Sequence, residues 1–366
     1  MHIPFNNLSI KKSEKYIDIF KKFLKSGKFI NSNGVKKFEN LFSQKFGFRY
    51  SIGCNSGTDA IEIALRLFKQ REDEAAITVS HTATATVSAI FRSGVRPIFC
   101  DIEKDFNTMC PISLEKTIKI CKKKKINLRY IIPVHIYGQI ADMEKINEIS
   151  KKYNLIIIED CSQSHGSYYI KNKNVKNNIC VFSLYPTKNL GALGDAGIVC
   201  TNNRKYYSSL KILREYGWVD RICKNVKGIN SRLDELQAYI LLYKLELFNK
   251  NFTKRQLIAK KYLKEISNKK IKLPYIRINT VHAFHLFVIQ VKERNRFIKF
   301  LKNKKIETAI HYSKPLHKHE GFAKIIKFDK LVNTEKLSNK IVSLPMNENL
   351  TNKEIITIIK TINEFK

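Results

Sequence analysis

The sequence predicts an α/β protein with a three-layer domain built on a mainly parallel sheet. Two observations carry this. Six short runs are almost wholly apolar, and helix-length segments lie between them. Runs without polar alternation suit strands buried on both faces, as inside a parallel sheet. In chain order the strands are expected at 76–79, 97–100, 130–134, 155–158, 179–182 and 197–200. Helices are expected at 58–70 and Met143–Tyr153, among others, and the alternation of the two kinds gives the layered architecture. The segment 231–252 puts Leu233, Leu236, Ile240, Tyr243 and Leu247 at helical spacing and leads out of this domain. Residues 1–250, including an N-terminal arm, then form a large domain. Residues 251–366 form a smaller C-terminal α+β domain whose clearest strand is 285–291. The polar, low-complexity stretch 171–178 reads as a surface loop, and no internal repeat is visible.

At 366 residues and 43% hydrophobic content, the chain can bury a full core and a second, smaller one. No apolar run reaches bilayer-spanning length. The first seven residues lack the basic-then-apolar order of a secretory signal. The eight cysteines are scattered, with no Cys-x-x-Cys pair. They are expected to be reduced, mostly buried thiols of a cytoplasmic protein, with no disulfide frame and no metal site.

A net charge of +35 could draw the chain to nucleic acid or an anionic membrane. The charge is mostly lysine, however, and is spread along the whole sequence. No aromatic–basic interleaving of the kind that stacks bases accompanies it. Asparagine and isoleucine are abundant too, which points to a compositional bias of the genome. Neither nucleic acid nor membrane is expected as a partner. The lysine-rich runs 122–125 and 302–305 read as solvated helix ends or turns.

Lys188 is the most informative residue. It lies in FSLYPTKNLGALGD (182–195), bracketed by a proline turn and glycines, so it belongs to a shaped loop. Upstream, the apolar run 156–158 ends in Glu159 and Asp160, and ligands of open α/β sheets sit at the carboxyl ends of strands. A fixed lysine plus a strand-end aspartate is what pyridoxal phosphate (PLP) chemistry needs. The lysine forms the Schiff base, and the aspartate keeps the pyridine nitrogen protonated. Gln163 is three residues further on and could reach a ring hydroxyl, while Ser183 could bind phosphate. Asn55-Ser56-Gly57-Thr58 precedes an amphipathic segment, so free amides at a helix N-terminus could meet a phosphate; a plain cap by Ser56 or Thr58 is the alternative. The glycines at 191, 194 and 197 do not make a Gly-x-Gly-x-x-Gly, so nicotinamide binding is disfavoured. His282 and His285 do not read as a metal pair, and His317 and His319 read as solvated surface histidines unless recruited to substrate.

Taken together these pieces resemble the DegT/DnrJ/EryC1/StrS family of PLP-dependent nucleotide-sugar aminotransferases. The resemblance spans nearly the whole chain. It is carried by NSGT (55–58), SHTATAT (80–86), PVHIYGQ (133–139), EDCSQSHG (159–166), the Lys188 loop, GINSRLDELQA (228–238), His311-Tyr312 and SLPM (343–346). It implies the fold-type I aminotransferase architecture and a homodimer with sites at the subunit interface. It also implies Lys188 as Schiff-base lysine, Asp160 at the pyridinium, Gln163 at the ring oxygen, and Gly57, Thr58 and Ser183 at the phosphate. Asn230 would come to the phosphate from the neighbouring subunit. Many members carry a bulky aromatic, stacked on PLP, where this chain has Ala83. Ala83 cannot stack, which leaves His81 for that role. The His-Thr-Ala-x-Ala-Thr form is similar to the branch acting on dTDP-3-keto-6-deoxyhexoses.

The implied reaction moves the amino group of L-glutamate to a nucleotide-linked keto-sugar. A sugar diphosphate needs cationic or hydroxyl donors, for which Arg232, Tyr185, Tyr312 and His317 are candidates. Rival readings are a C4-specific aminotransferase, a PLP-dependent sugar dehydratase, and a non-enzymatic binding module with a basic surface. Family dehydratases replace the lysine by histidine, so Lys188 argues against the second. The intact set Asp160, Gln163, Ser183 and Lys188 argues against the third.

Overall fold

The computed structural model of the chain describes residues 1–10, 13–170, 179–322, 325–328 and 330–366. The expected surface loop 171–178 lies outside the described residues. The main sheet has eight strands. In spatial order they are Tyr50–Cys54, Gly197–Thr201, Ile179–Ser183, Ile156–Asp160, Leu128–Ile131, Ala75–Val79, Arg96–Cys100 and Ile326–Lys327. Gly197–Thr201 runs antiparallel to both its neighbours, and every other pairing is parallel.

Side chains of a strand alternate between faces, and here the alternation separates two cores. Ile77, Val79, Ile131 and Ile157 pack on one face with Leu114, Ile118 and Ile146. Ala76, Tyr130, Ile132 and Ile158 pack on the other with Ile61, Leu65 and Ile90. This is why the sequence shows unbroken apolar runs: both faces of each strand are covered. The same period sends Glu159 and Asp160 to opposite faces.

Helix Met143–Tyr153 begins and ends where its sequence signals lie. Asp142 accepts from the Lys145 amide at 3.3 Å, and Asn154 takes the left-handed C-cap at φ 52°. The expected helix from 231 starts at Glu235 and runs unbroken to Glu265, past residue 250. Its later turns bring Ile258, Ala259 and Tyr262 into a second core with the antiparallel sheet Ile271–Lys272, Phe287–Val291, Ile341–Leu344. Ile3 is fully buried in that core, paired with Ile306, so the N-terminal residues pack on the C-terminal part of the chain. The two lysine-rich runs begin in or just beyond the last turn of helices Pro111–Lys123 and Arg294–Asn303, where cations complement the helix dipole.

A buried ion pair fixes the edge strand that leads into residues 55–58. Arg214 bonds Glu39 and the Gly53 carbonyl, the latter at 2.8 Å, while Glu39 takes the Gly53 amide at 2.8 Å. Arg214→Ala leaves Glu39 buried without its partner and is expected to cost ~3–5 kcal/mol. Urea unfolding of the two proteins checks this; a loss below ~1 kcal/mol contradicts the assignment.

Candidate active site

The carboxyl ends of the parallel strands converge on one edge of the sheet. Asp160 ends Ile156–Asp160, Ser183 ends Ile179–Ser183, and His81 lies two residues beyond the end of Ala75–Val79. Asp160 is 3% exposed. Its Oδ2 accepts from the Thr86 hydroxyl at 2.8 Å, and its Oδ1 from the Ser162 amide at 3.1 Å. Because Thr86 donates to the carboxylate, the contact of its hydroxyl with Thr82 at 3.0 Å makes Thr82 the donor there.

Lys188 feels the Asp160 charge across the site. Burial of its amine pulls its pKa down to about 8, and Asp160 holds it from falling further. The loop is clamped rather than mobile in its contacts. The Lys188 amide donates to Tyr185 O at 2.9 Å, Asn189 Nδ2 to Ala283 O at 2.9 Å, and Lys244 Nζ to Gly191 O at 2.7 Å. Burial, then the Lys188 charge, pushes the nearby His165 down to about 3 and His311 to about 4, so both rings are neutral.

Gly57 and Ser183 are brought into contact from distant parts of the chain. A Cβ on Gly57 would sit 2.6 Å from the Ser183 Cβ. A Cβ on Gly197 would sit 2.1 Å from Ser56 O, so this crossing of strand and helix start admits only glycine. Ser56 does cap helix Gly57–Phe68, accepting the Asp59 amide at 3.1 Å. Cap and anion site are therefore compatible: the capping hydroxyl takes the Asp59 amide, and the helix start at Gly57 lies against Ser183. This narrow cradle and the Asp160–Lys188 pair fit the phosphate, ring nitrogen and aldehyde of PLP.

Gln163 accepts the Tyr137 amide at 2.8 Å and donates to the Tyr312 hydroxyl at 3.2 Å, which leaves one amide hydrogen for a ring oxygen. His81 is fully buried, bonded to Tyr137. Ala83 is the N-cap residue of helix Thr84–Arg92.

The remaining sequence candidates lie elsewhere in the hydrogen-bond network. Tyr185 is exposed. Arg232 pairs with Glu215 at 3.5 Å and lies over the Tyr216 ring. Asn230 is exposed and pairs with Glu215 in an isolated antiparallel bridge, beside Ser231, whose hydroxyl accepts the Asn55 amide at 3.1 Å. His317 is not a solvated histidine. It is buried, with Nδ1 on the Ser80 hydroxyl at 2.7 Å and Nε2 on Glu335 at 3.0 Å. Ser80 is 237 residues away in sequence, so no local pattern could reveal the pair. His282 and His285 are likewise buried, ahead of strand Phe287–Val291. Thr86 and Tyr137 were not singled out by sequence. The Thr82/Thr86 spacing of one helical turn was the available signal for the first; the left-handed turn at Tyr137 (φ 62°) carries none.

On the opposite face, His135, Glu159 and Cys161 hold three ligand atoms within 4.8 Å of one another. The Ala141 amide donates to His135 Nδ1 at 3.1 Å, so the ring proton is on Nε2, where it meets Glu159 at 2.9 Å. A metal on Nε2 would need both ring nitrogens bare, which a neutral imidazole does not offer. The cluster reads as a hydrogen-bonded pair.

Residues 11–363 match the DegT/DnrJ/EryC1/StrS aminotransferase family. The chain belongs to this family. It is a PLP-dependent sugar aminotransferase. It is 36% identical over 369 residues to the dTDP-3-amino-3,6-dideoxy-alpha-D-galactopyranose transaminase of Aneurinibacillus thermoaerophilus, covering 99% of each chain. It is 32% identical to the dTDP-3-amino-3,4,6-trideoxy-alpha-D-glucose transaminase of Micromonospora megalomicea subsp. nigra, covering 95% of this chain and 94% of that one. The crystal structure of S. venezuelae DesV in complex with a ketimine intermediate superposes with a TM-score of 0.93 at 29% identity, over 99% of this chain and 98% of that one. Among the described residues, no helix is long and apolar enough to cross a membrane.

An amine must be unprotonated to attack an aldehyde. With Lys188 lowered to about 8, the rate at which cofactor-free protein captures PLP is expected to rise with pH and level off above that value. Stopped-flow absorbance across pH measures it; a rise continuing to the ordinary lysine range contradicts the desolvated site.

Proposed function

We propose that the chain transfers the amino group of L-glutamate to C3 of a dTDP-3-keto-6-deoxyhexose. The observation that supports this most is the likeness, over nearly the whole chain, to two transaminases whose names carry a 3-amino position and a dTDP carrier. The intact Lys188–Asp160 pair is consistent with it.

PLP, when bound, supplies an aldehyde that exchanges amines and a ring that takes up electrons. Gly57, Thr58 and Ser183 would hold its phosphate, Gln163 its ring oxygen, His81 its ring face and Lys188 its aldehyde carbon. Asp160 would keep a proton at the ring nitrogen, a charge interaction strengthened by exclusion of water. With the cofactor bound, Lys188 Nζ would carry a proton from the glutamate Cα to the cofactor in the first half-reaction and from the cofactor to the sugar C3 in the second. An amine whose pKa is about 8 can do both near neutrality. Tyr185, Arg232, Tyr312 and His317 remain the proposed contacts to the nucleotide sugar, Tyr312 being linked to the cofactor side through Gln163.

The working unit is a homodimer with shared sites. Helix Glu14–Ser26 buries none of its residues within the chain, and its Ile17, Phe20 and Leu24 are exposed with Phe29 and Ile30 beyond it. Trp218, Ile222 and Val226 project in the same way on the turn before Asn230. Apolar surface of this extent suits a second copy of the chain. Free, mostly buried cysteines fit a reducing cytoplasm.

Incubation with amino-labelled glutamate and a dTDP-3-keto-6-deoxyhexose, followed by NMR of the sugar, is the test. Label at C3 is expected, and Lys188→Ala is expected to lower turnover by at least about 10³-fold. Label appearing only with 4-keto sugars, at C4, would overturn the proposed position.

A further inference from the structure

The Tyr137 hydroxyl bridges two groups, the His311 carbonyl oxygen and His81 Nε2. A carbonyl can only accept, so the single phenolic proton goes to His311. Toward His81 the same oxygen can then only accept, and His81 must carry its proton on Nε2. Its Nδ1 is therefore bare. That atom is fully buried and has no hydrogen-bond partner. Burial holds the imidazole neutral, its pKa pulled down to about 3 with a further push from His311. Which ring nitrogen carries the proton is thus set by the bond the other residue makes.

Tyr137 cannot easily swing aside. Its amide donates to Gln163 at 2.8 Å and its carbonyl accepts the Leu286 amide at 3.2 Å. The next residue, Gly138, has no room for a Cβ, which would lie 2.7 Å from the Phe284 nitrogen. Tyr312 also meets the His81 ring edge-on, centroids 6.3 Å apart, and is itself bonded to Gln163.

We propose that Tyr137 is a positioning residue that fixes His81 in the Nε2–H tautomer, so that its bare Nδ1 accepts a hydrogen bond from a hydroxyl or amino group of the bound sugar or amino acid. This rests on the placement of His81 at the cofactor proposed above. A carbocyclic aromatic at that place would offer a stacking face but no acceptor. An unpaired buried acceptor is costly in free energy until a ligand supplies the donor.

Nitrogen NMR of histidine-labelled protein tests the tautomer without cofactor. A single neutral His81 ring protonated at Nε2 is expected, turning into a tautomer mixture in Tyr137→Phe. The His81 Nδ1 signal is expected to move when PLP-loaded protein binds the sugar product. In turnover, His81→Phe and Tyr137→Phe are each expected to raise KM for the keto-sugar about tenfold, the worth of one hydrogen bond. The double variant is expected to be no worse than either alone. A wild-type ring protonated at Nδ1, a pure Nε2–H tautomer in Tyr137→Phe, or additive effects would each overturn the proposal. Failure of the wild-type protein to bind PLP would instead overturn the cofactor reading, and is seen separately in its absorbance.

Discussion

A carboxylate taken almost wholly out of water at the end of a parallel strand is the constraint around which the site is arranged. Each Asp160 oxygen has a donor there, and the Lys188 amine across the pocket feels its charge. Each of these three groups is placed by a different element. The Ser162 amide comes from the turn after the strand, the Thr86 hydroxyl from helix Thr84–Arg92, and Lys188 from the clamped loop after Ile179–Ser183. The sheet supplies the common frame. Two consecutive acids at the strand end are sorted by pleat alone, Asp160 to Thr86 on one face and Glu159 to His135 on the other.

Features with local causes were legible in the sequence. The apolar runs became central strands, because burial on both faces removes any reason for polar alternation. Met143–Tyr153 was readable to the residue since its cap and its left-handed stop are both encoded beside it. The cradle was half legible. Ser56, Gly57 and Thr58 looked like a helix start, and only the fold shows that Gly57 is a glycine because Ser183 leaves no room. The long helix was underestimated at its far end, because past residue 252 its apolar face turns toward a different core, which breaks the pattern a single stripe would show.

What the sequence hid depends on long-range pairing. His317 looked solvated, and its partners Ser80 and Glu335 come from a strand end and a distant helix. Arg232 looked available to a sugar diphosphate, yet within the chain it leans on Glu215 and Tyr216. The large positive charge proved compatible with an ordinary enzyme interior: its lysine runs lie at helix ends. The residues proposed for the chemistry are a few buried groups set back from that surface charge.

In a chain so rich in lysine, the direct question is which one holds the cofactor. The protein would be loaded with PLP, reduced with borohydride, digested and mapped by mass spectrometry. The account requires the phosphopyridoxyl mark on Lys188, lost if glutamate is added before the reductant. A mark spread over surface lysines, or fixed on any other single lysine, would contradict it.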